Sequence, residues 1–122
     1  MEKPEWQQKA WLLVSDLWKQ KGAKFFYQKV DAVKLQIPDY YTIIKKPMDF
    51  GTIKKKITKN VYESQLDFIS DLNQVFINCK MYNGTTSMVG QIGVRIHNEA
   101  QRLLAKYGFV EDKENVEQDK RA

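Results

Sequence analysis

Two apolar stripes at helical spacing, separated by a short polar turn, constrain this chain more than any other feature. Ile69, Leu72, Phe76 and Cys79 form the first stripe; Val89, Ile92, Ile96, Ala100, Leu103 and Tyr107 form the second. Steps of three and four residues put each set on one face of a helix, and such a face must be buried. Between them Asn78 to Ser87 turns through small polar residues, with Tyr82-Asn83 at the end of the first helix. An asparagine there can point along the axis of a helical bundle and serve as the polar anchor of a ligand pocket. Two other readings stand beside it. Asn83-Gly84-Thr85 matches a glycosylation sequon, which matters only on the secretory route. Asn83 can also be a plain helix C-terminal residue in a left-handed turn. A hairpin at Asn83-Gly84 is disfavoured, because its flanks have helical rather than alternating period.

The rest of the chain supplies further helices. Pro4 suits a first helical turn. Trp6, Ala10, Leu13, Val14 and Leu17 continue a stripe that ends before Gly22, giving a helix over about 4–21, with Trp11 and Trp18 at its edges. Asp49 caps a short helix through Phe50, Ile53 and Ile57 to about Asn60. Ser64-Gln65-Leu66-Asp67 resembles a capping box and opens the long helix to about Tyr82. Ser87 caps the last helix, to about Tyr107, with Gly108 as its stop. Gly90 and Gly93 lie inside its first turns, where they permit either close packing or mobility. From Ala23 to Asp49 no helical period persists, yet the segment carries Phe25, Phe26, Tyr27, Tyr40 and Tyr41 and is braced by Pro38 and Pro47. Loops of this length are uncommon and functional or disordered. This composition predicts an ordered loop able to wall a pocket. The expected architecture is all-α, a four-helix bundle with a long ordered loop between helices one and two. Residues 1–110 form the domain, and the charged stretch 111–122 reads as a poorly ordered tail or linker.

Catalytic chemistry has little support. His97 is the single histidine and Cys79 the single cysteine. A Cys79–His97 pair lacks a third orienting group. Asp67 and Asp71 share a helix face of the kind that usually faces solvent. There is no phosphate-binding glycine loop and no metal-ligand spacing, so neither metal nor cofactor is expected. No apolar run reaches the roughly 18–20 residues of a membrane span, and residues 1–5 lack a signal-peptide core. A lone cysteine in a chain without a leader favours the cytosol or nucleus. The net charge of +5 and sequence pI near 9.2 permit weak contact with nucleic acid. The lysines cluster at Lys45, Lys46, Lys54, Lys55, Lys56 and Lys59. A basic helical nucleic-acid-binding domain using that Lys45–Lys59 cluster is therefore the alternative to a ligand pocket.

Two separated motifs resemble the bromodomain family. Ile37-Pro38-Asp39-Tyr40-Tyr41-Thr42-Ile43-Ile44-Lys45-Lys46-Pro47-Met48-Asp49-Phe50-Gly51-Thr52-Ile53 is similar to its loop-to-helix signature. Phe68, Asp71, Phe76, Asn78, Cys79 and Tyr82-Asn83 are similar to its third helix, and the likeness runs from about Trp6 to Tyr107. Val30-Asp31-Ala32-Val33-Lys34-Leu35 looks like the subgroup with paired bromodomains and an extra-terminal region. The resemblance implies a left-handed four-helix bundle that binds acetyl-lysine, typically in histone H3 or H4 tails or other acetylated proteins, in the nucleus, as a monomeric module without enzymatic activity. It implies that Asn83 donates to the acetyl carbonyl and that Tyr40 reaches the same oxygen through a water. Val30, Leu35, Ile37, Cys79 and Tyr82 would wall the pocket, Phe26 would lie beside the acetyl methyl, and Val89 would guard the mouth. Lys24-Phe25-Phe26 departs from the family's Trp-Pro-Phe. The indole shelf is absent, and Lys24 and Phe25 stand where flanking contacts would form.

Overall fold

A computed structural model describes residues 3–109; the expected tail at 111–122 lies outside them. The described chain is all-helical. α1 (Glu5–Trp18), α3 (Phe50–Thr58), α4 (Gln65–Asn83) and α5 (Met88–Lys106) form the bundle, and a one-turn α2 (Tyr40–Ile43) lies in the connection between α1 and α3. The caps fall where the sequence put them. Asp49 accepts from the Thr52 amide at 2.8 Å, Ser64 from Asp67 at 3.4 Å and Ser87 from Gly90 at 3.1 Å. α1 stops at Trp18, earlier than expected, and Gly22 takes up the positive φ of 85° that redirects the chain.

The apolar stripes meet as their spacing requires. Leu13, Val14 and Leu17 of α1 pack with Phe50, Ile53 and Ile57 of α3, Phe68 and Leu72 of α4, and Ile96 and Leu103 of α5, all buried. The two glycines of α5 serve close packing. A Cβ on Gly93 would stand 2.5 Å from the Cys79 sulfur, and one on Gly90 would stand 2.3 Å from the Gly84 carbonyl oxygen. α5 therefore packs tightly on α4 at Gly93 and on the polar turn at Gly90.

The connection from residue 23 to residue 49 is ordered, as expected, but is not free of helix. Ala23–Phe26 forms a 3₁₀ turn, and α2 is a second single turn; one turn is too short to show a period in sequence. Five hydrogen bonds tie the connection down. The Tyr27 hydroxyl donates to the Trp18 carbonyl at 2.7 Å. The Tyr27 carbonyl accepts from the Gly51 amide at 2.9 Å. The Tyr41 hydroxyl donates to Val30 O at 2.5 Å. The Tyr82 hydroxyl donates to an Asp39 carboxylate oxygen at 2.7 Å. The Asn78 amide donates to the Lys46 carbonyl at 2.7 Å. Three of these use tyrosine hydroxyls, which explains how an aromatic-rich loop can be both packed and polar at its edges.

Candidate ligand-binding site

A cavity of about 210 Å³ opens between this connection and the α4–α5 turn. It is lined by Phe25, Phe26, Gln28, Val30, Leu35, Ile37, Tyr40, Met48, Asp49, Val75, Cys79, Tyr82, Asn83 and Val89. The structure thus brings together Asn83, Tyr40, Tyr82, Phe26, Val30, Leu35, Ile37, Cys79 and Val89, the residues that the sequence singled out. Phe25 joins them. Lys24 does not: it is exposed, with its Nζ 5.9 Å from the centroid of the Phe25 ring.

Phe26 anchors the floor. Its ring is buried and meets Phe50 at 5.8 Å and Phe76 at 6.0 Å between centroids, so the cavity rests on the bundle core. Tyr40 contacts Tyr82 edge-on at 5.0 Å, which joins the α2 side of the wall to the end of α4.

Asn83 is the last residue of α4, half-buried, and the positive φ belongs to Gly84, at 72°. The left-handed reading of Asn83 is therefore wrong: glycine takes that conformation at lower cost. Asn83 Nδ2 donates to the Cys79 carbonyl at 3.2 Å and lies 3.8 Å from the Cys79 sulfur. Only the NH₂ side of a carboxamide can donate to a carbonyl, so this bond orients the group. The Ser87 hydroxyl donates to the Asn83 backbone carbonyl at 2.8 Å while accepting from Gly90. One hydroxyl therefore holds the end of α4 to the start of α5.

The phenols and the thiol of the wall are held neutral. Burial pushes the Tyr40 hydroxyl up to about 12, aided by Tyr41, Cys79 and Tyr82. The hydrogen bond to Asp39 raises Tyr82. Burial raises the Cys79 thiol, partly offset by the Asn83 amide. The Asp49 carboxylate is already occupied by the Thr52 amide and hydroxyl at 2.8 and 2.7 Å. What remains is a largely apolar slot with the oriented Asn83 amide and the Tyr40 phenol in its wall.

Four lining residues had not been singled out as site residues: Gln28, Met48, Asp49 and Val75. Val75 was legible, since 75, 79 and 83 follow one another at four-residue steps on one face of α4. Met48 and Asp49 adjoin the start of α3 and are brought in by the Asn78–Lys46 bond. Gln28 carries no periodic signal.

The other candidate chemistries do not assemble. His97 stacks on Phe76 at 4.8 Å and contacts Gln101, while the Cys79 sulfur meets Val89 O and Asn83. Asp71 does not simply face solvent. It binds Lys56 at 2.6 Å and the Tyr62 hydroxyl at 2.7 Å. No cluster of His, Cys, Asp and Glu suited to a metal occurs among the described residues, and no helix of the structure is long and apolar enough to cross a membrane. Within the basic cluster, Lys54 is held over Trp11 and Trp18 at 4.7 and 4.5 Å, and Lys56 is committed to Asp71. Two of the cations that a nucleic-acid surface would need are thus engaged within the bundle.

Comparison with known proteins agrees with this fold. The family model described as "Bromodomain" matches residues 9–95. The chain belongs to the bromodomain family. It is 45% identical over 102 residues to the SWR1 complex bromodomain subunit bdf1 of Schizosaccharomyces pombe, covering 83% of this chain and 18% of that protein. It is 49% identical over 79 residues to the bromodomain-containing protein C631.02 of the same yeast, covering 65% of this chain and 11% of that protein. The chain thus spans less than a fifth of the length of either relative. Bromodomains are acetyl-lysine-binding modules, and this class of function is binding rather than catalysis.

Proposed function

We propose that this bromodomain reads acetylated lysine in histone tails, of H3 or H4, or in other acetylated nuclear proteins, and that the slot beside Asn83 is where it does so. The observation that carries the reading is the oriented Asn83 amide at the edge of a largely apolar cavity. The name of the relative in the SWR1 complex supports a chromatin setting.

The chemistry of the mark fits the chemistry of the slot. Acetylation removes the lysine charge and adds a carbonyl acceptor and a methyl group. An N–H of the Asn83 amide donates to the carbonyl, Tyr40 reaches it through a bridging water, and Phe26 lies against the methyl. A neutral hydrogen bond contributes only about 0.5–1.5 kcal/mol. Selectivity comes from the unmodified side chain: an ammonium would shed its hydration among apolar groups and meet a donor instead of an acceptor. Burial of an unpaired charge costs several kcal/mol, enough to exclude it. A small slot with few polar contacts gives an affinity of roughly micromolar to millimolar for one mark.

Calorimetric titration with an acetylated H4 peptide tests this. The domain should bind the acetylated peptide and give no saturable heat with the unmodified one. Asn83→Ala should weaken binding by at least about tenfold. Unchanged affinity in a folded Asn83→Ala protein would reject the assignment.

A further inference from the structure

The wall from residue 24 to residue 30 is unusual in charge. Phe25, Phe26, Gln28 and Val30 line the cavity, and the exposed Lys24 and Lys29 adjoin them in sequence. Lys24 Nζ lies 5.9 Å from the centroid of Phe25, and Lys29 Nζ lies 5.6 Å from that of Tyr41. Both ring contacts keep a cation beside the wall. Tyr41 is bonded to Val30 O, and Lys29 also lines an adjoining cavity that shares Val30, Tyr40, Met48 and Asp49 with the main one. Both lysines are exposed, and among the described residues neither makes an ion pair. The nearby carboxylates are otherwise engaged. Asp31 accepts from the Lys34 amide, Asp39 from Tyr82 and Asp49 from Thr52.

From this wall we infer that Lys24 and Lys29 make the domain selective for acetyl-lysine flanked, within about three residues, by an anionic side chain. The inference rests on the proposed function and deepens it: Asn83 reads the mark, and the two lysines read its neighbours. An indole at position 24 would offer flanking residues an apolar shelf. A lysine offers a stem to pack along and a charge that attracts anions and repels the lysines and arginines of a basic tail. The charges are solvent-exposed, so the effect is moderate. One exposed pair corresponds to about a two- to fivefold change in affinity, and it weakens as salt screens it.

The test is a set of acetylated peptides identical except for flanking glutamate, phosphoserine, glutamine or lysine, titrated against the wild type, Lys24→Glu/Lys29→Glu and Asn83→Ala. The wild type should prefer glutamate over lysine flanks by about fivefold or more in 50 mM salt, with the margin shrinking at 500 mM. Phosphoserine binding no better than glutamate would place the preference in carboxylates, and tighter binding would place it in phosphorylated neighbours. The double variant should invert the order. Equal affinity for all flanks, or an unchanged order in the double variant, overturns the inference while leaving the Asn83 reading intact. Loss of the acetyl requirement, or full binding by Asn83→Ala, overturns both.

Discussion

The side-chain amide of Asn78 donates to the backbone carbonyl of Lys46 at 2.7 Å, across 32 residues of sequence. Asn78 is 3% exposed, and its own oxygen accepts from Gln74 at 2.7 Å, so both ends of a buried amide are used. This bond pins the segment before Pro47 to the middle of α4. The same helix carries Val75, Cys79, Tyr82 and Asn83 to the cavity, and the pinned segment carries Met48 and Asp49 there.

Asn78→Ala should therefore act on stability and on the loop together. It leaves the Lys46 carbonyl without its partner, which costs about 1–3 kcal/mol. Denaturant melts should show that loss, and hydrogen exchange should rise in residues 44–50 more than in α1. A variant as stable as the wild type, with unchanged exchange, would show that the bond is dispensable.

Asn83→Asp separates the donor from the shape. The carboxylate has nearly the same outline but no N–H, and it would face the Cys79 carbonyl that Asn83 now donates to. Binding of acetylated peptide should fall at least as far as in Asn83→Ala, by roughly tenfold or more, because acceptor then faces acceptor. Calorimetry that found Asp equal to Asn would remove the donor from the explanation.

Gly93 offers a test that changes sign. In an open helix, Gly→Ala stabilises by about 1 kcal/mol. At Gly93 the new methyl would meet the Cys79 sulfur at 2.5 Å, and overpacking of this kind costs about 1–3 kcal/mol. Gly93→Ala alone should lower the melting temperature. In a Cys79→Ala background the same change should be neutral or stabilising, and the double-mutant cycle should give a coupling of about 1 kcal/mol or more.

The Tyr40 hydroxyl, at about 12 against an ordinary 10.0, has a direct pH consequence. A raised folded-state value means that the stability tied to the neutral phenol is complete below about pH 10 and is lost as pH rises through about 12. Burial also raises Tyr62, as does its bond to Asp71, so that residue acts in the same direction. Unfolding free energy should be flat with respect to these phenols from about pH 6 to 9 and should decline above pH 10. Peptide affinity should share the flat region, since Tyr40 keeps its proton there. A step in affinity near pH 8 that Tyr40→Phe abolishes would contradict this.

Helix positions and caps were legible because they are local. Asp49, Ser64 and Ser87 each serve a backbone amide three residues on, and the stripes from Leu13 to Leu17 and from Ile96 to Leu103 needed only the helical repeat. The single turns at Ala23–Phe26 and Tyr40–Ile43 escaped, since one turn has no repeat to detect.

The sequence by itself determined a helical bundle with an aromatic, proline-braced connection and an asparagine at the end of a buried helix. It also carried the two motifs that placed the chain in its family. Only the tertiary structure decided that Gly90 and Gly93 are contact points, that Asn83 is oriented by Cys79, and that Lys24 stands outside the cavity while Phe25 lines it. It also decided that Lys54 and Lys56 are spent on tryptophan rings and on Asp71. The physical reason is range. A cap or a stripe is fixed by residues three or four apart, whereas a cavity and its charges are fixed by side chains that meet across dozens of residues only when the helices pack.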